Sequence, residues 1–188
     1  MNILALDTGT NCGWAVDVRG VTESGVQVFD LRRGESPGMR YLRFNSWMSE
    51  EWGCVGCGIG LIVYEQTHNR GGAATEVAAG FATRVQEFCA RNRIEHSAIH
   101  SATLKKFATG RGNAKKPEMI LAAQRLKPGV TDDNESDALW LLEYARKMLV
   151  PEKEKVPDYV AAAKDFSKKY EDVFGDKDPA DILKDIRG

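Results

Sequence analysis

Asn2-Ile3-Leu4-Ala5-Leu6-Asp7 and, far downstream, Leu61-Ile62-Val63-Tyr64-Glu65 are the two stretches that decide the fold. Each is an unbroken apolar run closed by a carboxylate. Such runs predict strands covered on both faces, as in the middle of a parallel or mixed sheet. A carboxylate at the end of a buried strand is costly unless something compensates its charge. A third acidic place, Asp132, Asp133 and Asp137, leads into the apolar helix Ala138-Leu139-Trp140-Leu141-Leu142. Three acidic ends gathered at one sheet edge predict a shared hard cation such as magnesium. Two such ions bridged by one carboxylate are a common device for cutting a phosphodiester.

Around these runs the pattern reads as alternating strands and helices. Asp7-Thr8-Gly9-Thr10-Asn11-Cys12-Gly13 is a turn. Trp14–Val18 and Gly25–Asp30 are predicted strands, joined through Arg19-Gly20 as a hairpin with a loose loop. Leu42, Phe44, Trp47 and Met48 give residues 39–51 an amphipathic helical pattern. Residues 71–90 form a long predicted helix whose small residues, Ala73, Ala74, Ala78, Ala79 and Gly80, suit close packing or a subunit interface. A fifth strand is expected over 94–99, then short helices over 102–108 and 118–126, the second opened by Pro117. The last core helix is expected over 135–149, capped by Asp132 or Asp133. The order β-β-β-α-β-α-β-α predicts an α/β fold of the ribonuclease H-like kind, a mixed five-stranded sheet flanked by helices. In it the first and fourth strands are neighbours. Residues 1–150 would make this domain, and 151–188 a charged C-terminal tail with short helices.

The chain has 188 residues, of which 43% are hydrophobic, enough for one well-filled core. No apolar stretch approaches a membrane span. The N-terminus enters a strand without a preceding basic region, so no signal peptide is expected and the setting is cytoplasmic. Cys12 and Cys89 read as small core residues; Cys54 and Cys57 form a C-x-x-C with no second ligand pair. Net charge is −1, but its distribution is uneven. Between Thr103 and Lys127 every charged side chain except Glu118 is basic: Lys105, Lys106, Arg111, Lys115, Lys116, Arg125 and Lys127. A basic segment beside a carboxylate cluster is the polarity of an enzyme that grips a polyanion.

Taken singly, these residues also have plainer roles. Asp7 suits a turn, Asp132 and Asp133 suit helix caps, and Asp137 in a first helical turn suits the helix dipole. Asp7-Thr8-Gly9 is also the aspartic-protease signature, but those proteins are nearly all β and this chain turns helical after residue 70. The same turn resembles the first phosphate loop of actin-like ATPases, which need a second domain that this length does not hold.

Four motifs together carry a family resemblance: Ile3–Thr10 followed by Gly13-Trp14-Ala15; Ile62-Val63-Tyr64-Glu65; Leu104–Lys116; and Asp132-Asp133-Asn134-Glu135-Ser136-Asp137-Ala138-Leu139. Over residues 1–149 the chain resembles the RuvC-type Holliday junction resolvases, particularly the short RuvC-like versions of bacteriophages. The resemblance implies a dimeric endonuclease of DNA recombination and repair. It would use two Mg2+ ions, with Mn2+ as a substitute, and act on branched DNA, chiefly four-way junctions, in the bacterial host cytoplasm. The nicks would carry 5′-phosphate and 3′-hydroxyl ends. It implies Asp7, Glu65, Asp133 and Asp137 as metal ligands and Lys116 as a catalytic cation. The family's second aspartate falls on Asn134, a departure that leaves Asp132, Asp133 and Asn134 as alternatives. Lys105 and Lys116 match two lysines placed near the scissile phosphate. Thr8, Gln66, Arg70, Lys106, Arg111 and Lys115 are expected on the DNA backbone. The departure at Asn134 also keeps open a branched-DNA-binding protein of the same fold that does not cut.

Overall fold

The structure is a computed structural model, and it describes residues 1–53, 58–66 and 72–150. The expectations for Cys54, Cys57, Arg70 and the tail 151–188 lie outside the described residues. Residues Met1–Val150 form one compact unit.

Five strands make one sheet: β1 (Asn2–Asp7), β2 (Asn11–Val18), β3 (Val21–Val28), β4 (Ile59–Glu65) and β5 (Glu95–Ile99), in the order β3-β2-β1-β4-β5. β2 runs antiparallel to β1 and β3, while β4 runs parallel to β1 and β5. The sheet is therefore mixed, with β1 at its centre beside β4, as the apolar runs predict. Helices follow in the order α1 (Met39–Trp47), α2 (Ala73–Asn92), α3 (Ser101–Thr109), α4 (Lys116–Ala123) and α5 (Asp133–Tyr144).

Strand periodicity sorts the central residues into two cores. Ile3, Ala5, Leu61 and Val63 meet Leu104, Met119, Leu139 and Leu142 of α3, α4 and α5. Leu4, Leu6, Ile62 and Tyr64 meet Phe44 of α1 and Phe81, Val85 and Phe88 of α2 on the other side. Both faces of β1 and β4 are covered, which is why neither shows polar alternation. Leu4, Leu6, Ile62 and Val63 are wholly buried, so truncating one to alanine would cost about 2–5 kcal/mol. Among the described residues no helix is long and apolar enough to cross a membrane.

Several expectations need correction. The β2–β3 connection is a tight two-residue turn, Arg19-Gly20, with Val18 paired to Val21. Both turn residues have positive φ, 54° and 87°, the geometry that matches the twist of a hairpin. β2 reaches back to Asn11, and β3 is Val21–Val28, starting four residues and ending two residues earlier than its hydrophobic pattern suggested. α1 and α5 both end in a π-helical turn, Met48–Trp52 and Ala145–Leu149. α3 begins one residue earlier than expected, at Ser101, and its cap is His100, whose Nδ1 accepts from the Ala102 N–H. Gly80 of α2 admits Tyr41 of α1: a Cβ there would lie 2.4 Å from the Tyr41 hydroxyl. Part of the small-residue face of α2 is thus used within the chain.

Candidate functional site

Strand parity brings the first two carboxylates to one face. Ile3 and Ala5 face the α5 layer, and Asp7 continues that alternation; Leu61 and Val63 do the same for Glu65. The parallel register places Leu6 beside Tyr64, so Asp7 and Glu65 end adjacent strands side by side. The third element arrives over Gly13, the register partner of Asp7 on β2. A Cβ on Gly13 would lie 1.9 Å from the Asn134 carbonyl oxygen. Only a glycine admits the first turn of α5 at this distance. One turn further along, Asp137 comes to the same edge.

Electrostatics record the convergence. Asp7 keeps some exposed surface, yet its carboxyl is enclosed enough that burial, then Asp137, Glu65 and Asp133, raise its pKa well above the usual carboxylate range. Burial and the neighbouring Glu65 push Asp137 up to about 7, opposed by Lys105 and Lys116. Lys116 forms an ion pair with Asp133, whose hydrogen bond holds the ammonium above its usual range. Asp7, Glu65, Asp133 and Asp137 therefore act on one another, with Lys105 and Lys116 as the cations beside them.

The acidic turn is divided by function. Asp132 caps α5: its Oδ1 accepts from the N–H groups of Asn134 at 2.8 Å and Glu135 at 3.2 Å. Asn134 donates its side-chain amide to the same oxygen at 3.1 Å. Asp132 and Asn134 are thereby engaged with each other, whereas Asp133 lies at i−4 from Asp137, on the same helix face.

The donor set suits a hard divalent cation. It consists of carboxylate oxygens, and Oδ1 of Asp137 is buried without a hydrogen-bond partner, an arrangement that wants a counter-charge. The cage is not closed, however. Among the described residues no group of three or more His, Cys, Asp and Glu side chains is set closely enough to hold a metal ion. Asp133 is paired with Lys116.

The remaining expected contacts scatter. Thr8 is half-buried in the turn after β1, and Gln66 is exposed just past Glu65, its N–H donating to the Ile99 carbonyl at 2.8 Å. Lys106 and Lys115 are exposed. Arg111 is exposed but ion-paired with Glu118. Phe107 packs edge-on against Trp140 and Tyr144 and so anchors α3 on α5. Cys12 and Cys89 are free and buried. The close seat at Gly13 was not anticipated; its signal was a glycine standing opposite Asp7 at the start of an apolar strand.

No protein-family model and no curated protein matches the chain. Solved structures do. A Thermus thermophilus RuvC structure aligns with a TM-score of 0.60 at 19% identity, covering 78% of this chain and 96% of that one. T. thermophilus RuvC in complex with a Holliday junction substrate aligns with a TM-score of 0.61 at 19% identity, covering 75% and 90%. The chain thus has a RuvC-type, ribonuclease H-like fold. At this identity the likeness is one of architecture.

Proposed function

We propose that this protein is a divalent-metal-dependent endonuclease that hydrolyses branched DNA, four-way junctions foremost, by paired nicks leaving 5′-phosphate and 3′-hydroxyl ends. The observation that supports the reading is that the carboxylates of Asp7, Glu65, Asp133 and Asp137 act on one another electrostatically, with Lys105 and Lys116 as the opposing cations. The junction as substrate is supported by the similar fold of the RuvC captured with one.

Asp7, Glu65, Asp133 and Asp137 would hold Mg2+ or Mn2+, which when bound lowers the pKa of water and offsets charge on the phosphate. Asp7, at the end of the central strand, would hold the metal from a position fixed by sheet on both sides. Lys116 and Lys105 place positive charge where the pentacovalent phosphate gains negative charge. Lys116 would exchange its bond to Asp133 for one to a phosphate oxygen, freeing that carboxylate. Thr8, Gln66, Lys106 and Lys115, with Arg70 before α2, are the proposed backbone contacts, which recognise shape rather than sequence. A symmetric pair of chains would present two such sites to two strands.

A second reading is a branched-DNA-binding protein that does not cut. It is favoured by one observation: no three donors are closely set among the described residues. Asp7→Asn separates the two. With an end-labelled four-way junction in Mg2+, the wild-type chain should nick and the variant should not, while both bind the junction in Ca2+. Wild-type binding without nicking would establish the second reading.

A further inference from the structure

A cleft of about 430 Å³ opens beside the turn that follows Asp7. Gly9, Thr10 and Arg40 line one side, and Ala73, Ala74 and Val77 of α2 the other. Arg40 stands on α1, and its Nη1 donates to the Thr10 Oγ1 at 3.3 Å. Its Nε is buried and has no hydrogen-bond partner. Among the described residues no carboxylate pairs with it. That sets it apart from other arginines of similar exposure: Arg43 pairs with Glu35, Arg84 with Glu87, and Arg146 with Asp17. A guanidinium is always charged and offers five donors in a fixed fork. One that lines a cleft with no carboxylate partner keeps its free terminal nitrogen for an acceptor from outside.

We infer that this cleft is a phosphate subsite, in which Arg40 binds a backbone phosphate of the DNA strand near the one that is cut. The inference rests on the proposed DNA-cutting function. The chemistry fits: phosphate oxygens match the guanidinium fork in pairs, and the α2 wall supplies only small neutral side chains, which leave room and add no competing anion. The distance fits as well. Thr10 is three residues beyond Asp7, a reach of at most about 10 Å. A DNA strand covers that within about three nucleotides.

The test is junction binding in Ca2+ across a salt series, for the wild type, Arg40→Gln, Arg40→Lys and Ala74→Glu. Ala74 is exposed on the first turn of α2, where a glutamate is compatible with the helix and would put a carboxylate at the cleft. Arg40→Gln should weaken binding about tenfold and make the slope of log K against log salt shallower by about one per site. Ala74→Glu should do the same with an unchanged melting temperature. Arg40→Lys should keep the slope and lose part of the affinity. If Arg40→Gln and Ala74→Glu bind with the wild-type affinity and slope while the wild type still nicks the junction, the subsite is overturned and the proposed function stands. If Arg40→Gln loses affinity only together with melting temperature and Ala74→Glu changes nothing, Arg40 merely braces the Thr10 turn and the subsite is likewise overturned. A wild-type chain that neither binds nor nicks the junction overturns both.

Discussion

The Cβ that Gly13 lacks would sit 1.9 Å from the carbonyl oxygen of Asn134. Gly13 is paired with Asp7 in the ladder, and Asn134 is in the first turn of the helix that carries Asp137. A single missing methyl group thus sets the distance between the first and third acidic elements. Gly13→Ala forces backbone apart, because the clashing atom is a carbonyl and not a flexible side-chain tip. The expected cost is about 2–3 kcal/mol, measured by chemical denaturation. Mg2+ should also raise the melting temperature of the variant less than that of the wild type. A variant as stable as wild type would show that α5 is seated elsewhere.

The charge at Asp137 predicts a pH dependence with a definite sign. Its folded pKa of about 7 lies above the ordinary value of 3.8. The folded chain therefore holds a proton that the unfolded chain has released between those values. The stabilisation is complete below about pH 4 and is lost as pH rises through about 7. Without metal, the fold should be more stable at pH 5.5 than at pH 8, for this group by on the order of 1–2 kcal/mol. Asp137→Asn should flatten that difference and raise the melting temperature at pH 8 in chelator. Added Mg2+ should stabilise the wild type more at pH 8 than at pH 6, since protons and metal compete for one oxygen set. A wild-type melting temperature that rises from pH 5.5 to pH 8 in chelator would contradict this account.

Lys116 should matter for cutting and little for folding. Its side chain is largely exposed and its partner is Asp133, and exposed ion pairs contribute at most about 1 kcal/mol. Lys116→Ala should keep the wild-type melting temperature within about 4 °C while slowing junction cutting by about a hundredfold. A single-turnover assay reads the rate, and a thermal melt on the same sample reads the fold. An unchanged rate would remove Lys116 from the site.

Much of this was legible in the chain itself, for physical reasons. The runs ending at Asp7 and Glu65 are apolar on both faces because helices cover both faces, so their central placement could be read from composition alone. The parity that sends Asp7 and Glu65 to the α5 side follows from the period of two. What the sequence did not carry was set by backbone geometry. Arg19 gives no turn signal of its own, yet it adopts φ 54°, and the tight hairpin starts β3 at Val21. The choice between Asp132 and Asp133 as cap turns on which oxygen meets the Asn134 and Glu135 N–H groups, and no spacing rule distinguishes neighbours. Arg40 gives no signal in the sequence, because an arginine on an amphipathic helix reads as solvated; only its place beside Thr10 marks it.

Asp133 and Asn134 give the sharpest division between a nuclease and a binding protein. Asn134 stands where the RuvC-like pattern would have an aspartate, but its amide is held by the Asp132 carboxylate at 3.1 Å. Asp133 pairs with Lys116 and shares its helix face with Asp137. If Asp133 has taken over the fourth donor, Asp133→Asn should reduce cutting by about a hundredfold or more, the usual loss when a charged active-site contact is removed. It should leave binding in Ca2+ close to wild type. Asn134→Asp should not raise the rate: it sets a second carboxylate against Asp132 and breaks the amide bond, so the helix cap weakens by about 1 kcal/mol. The two variants are compared by single-turnover cutting of the same labelled junction, with melting temperatures alongside. A chain that gains activity with Asn134→Asp and loses none with Asp133→Asn would place the missing ligand at position 134 and make the natural protein a weakened nuclease.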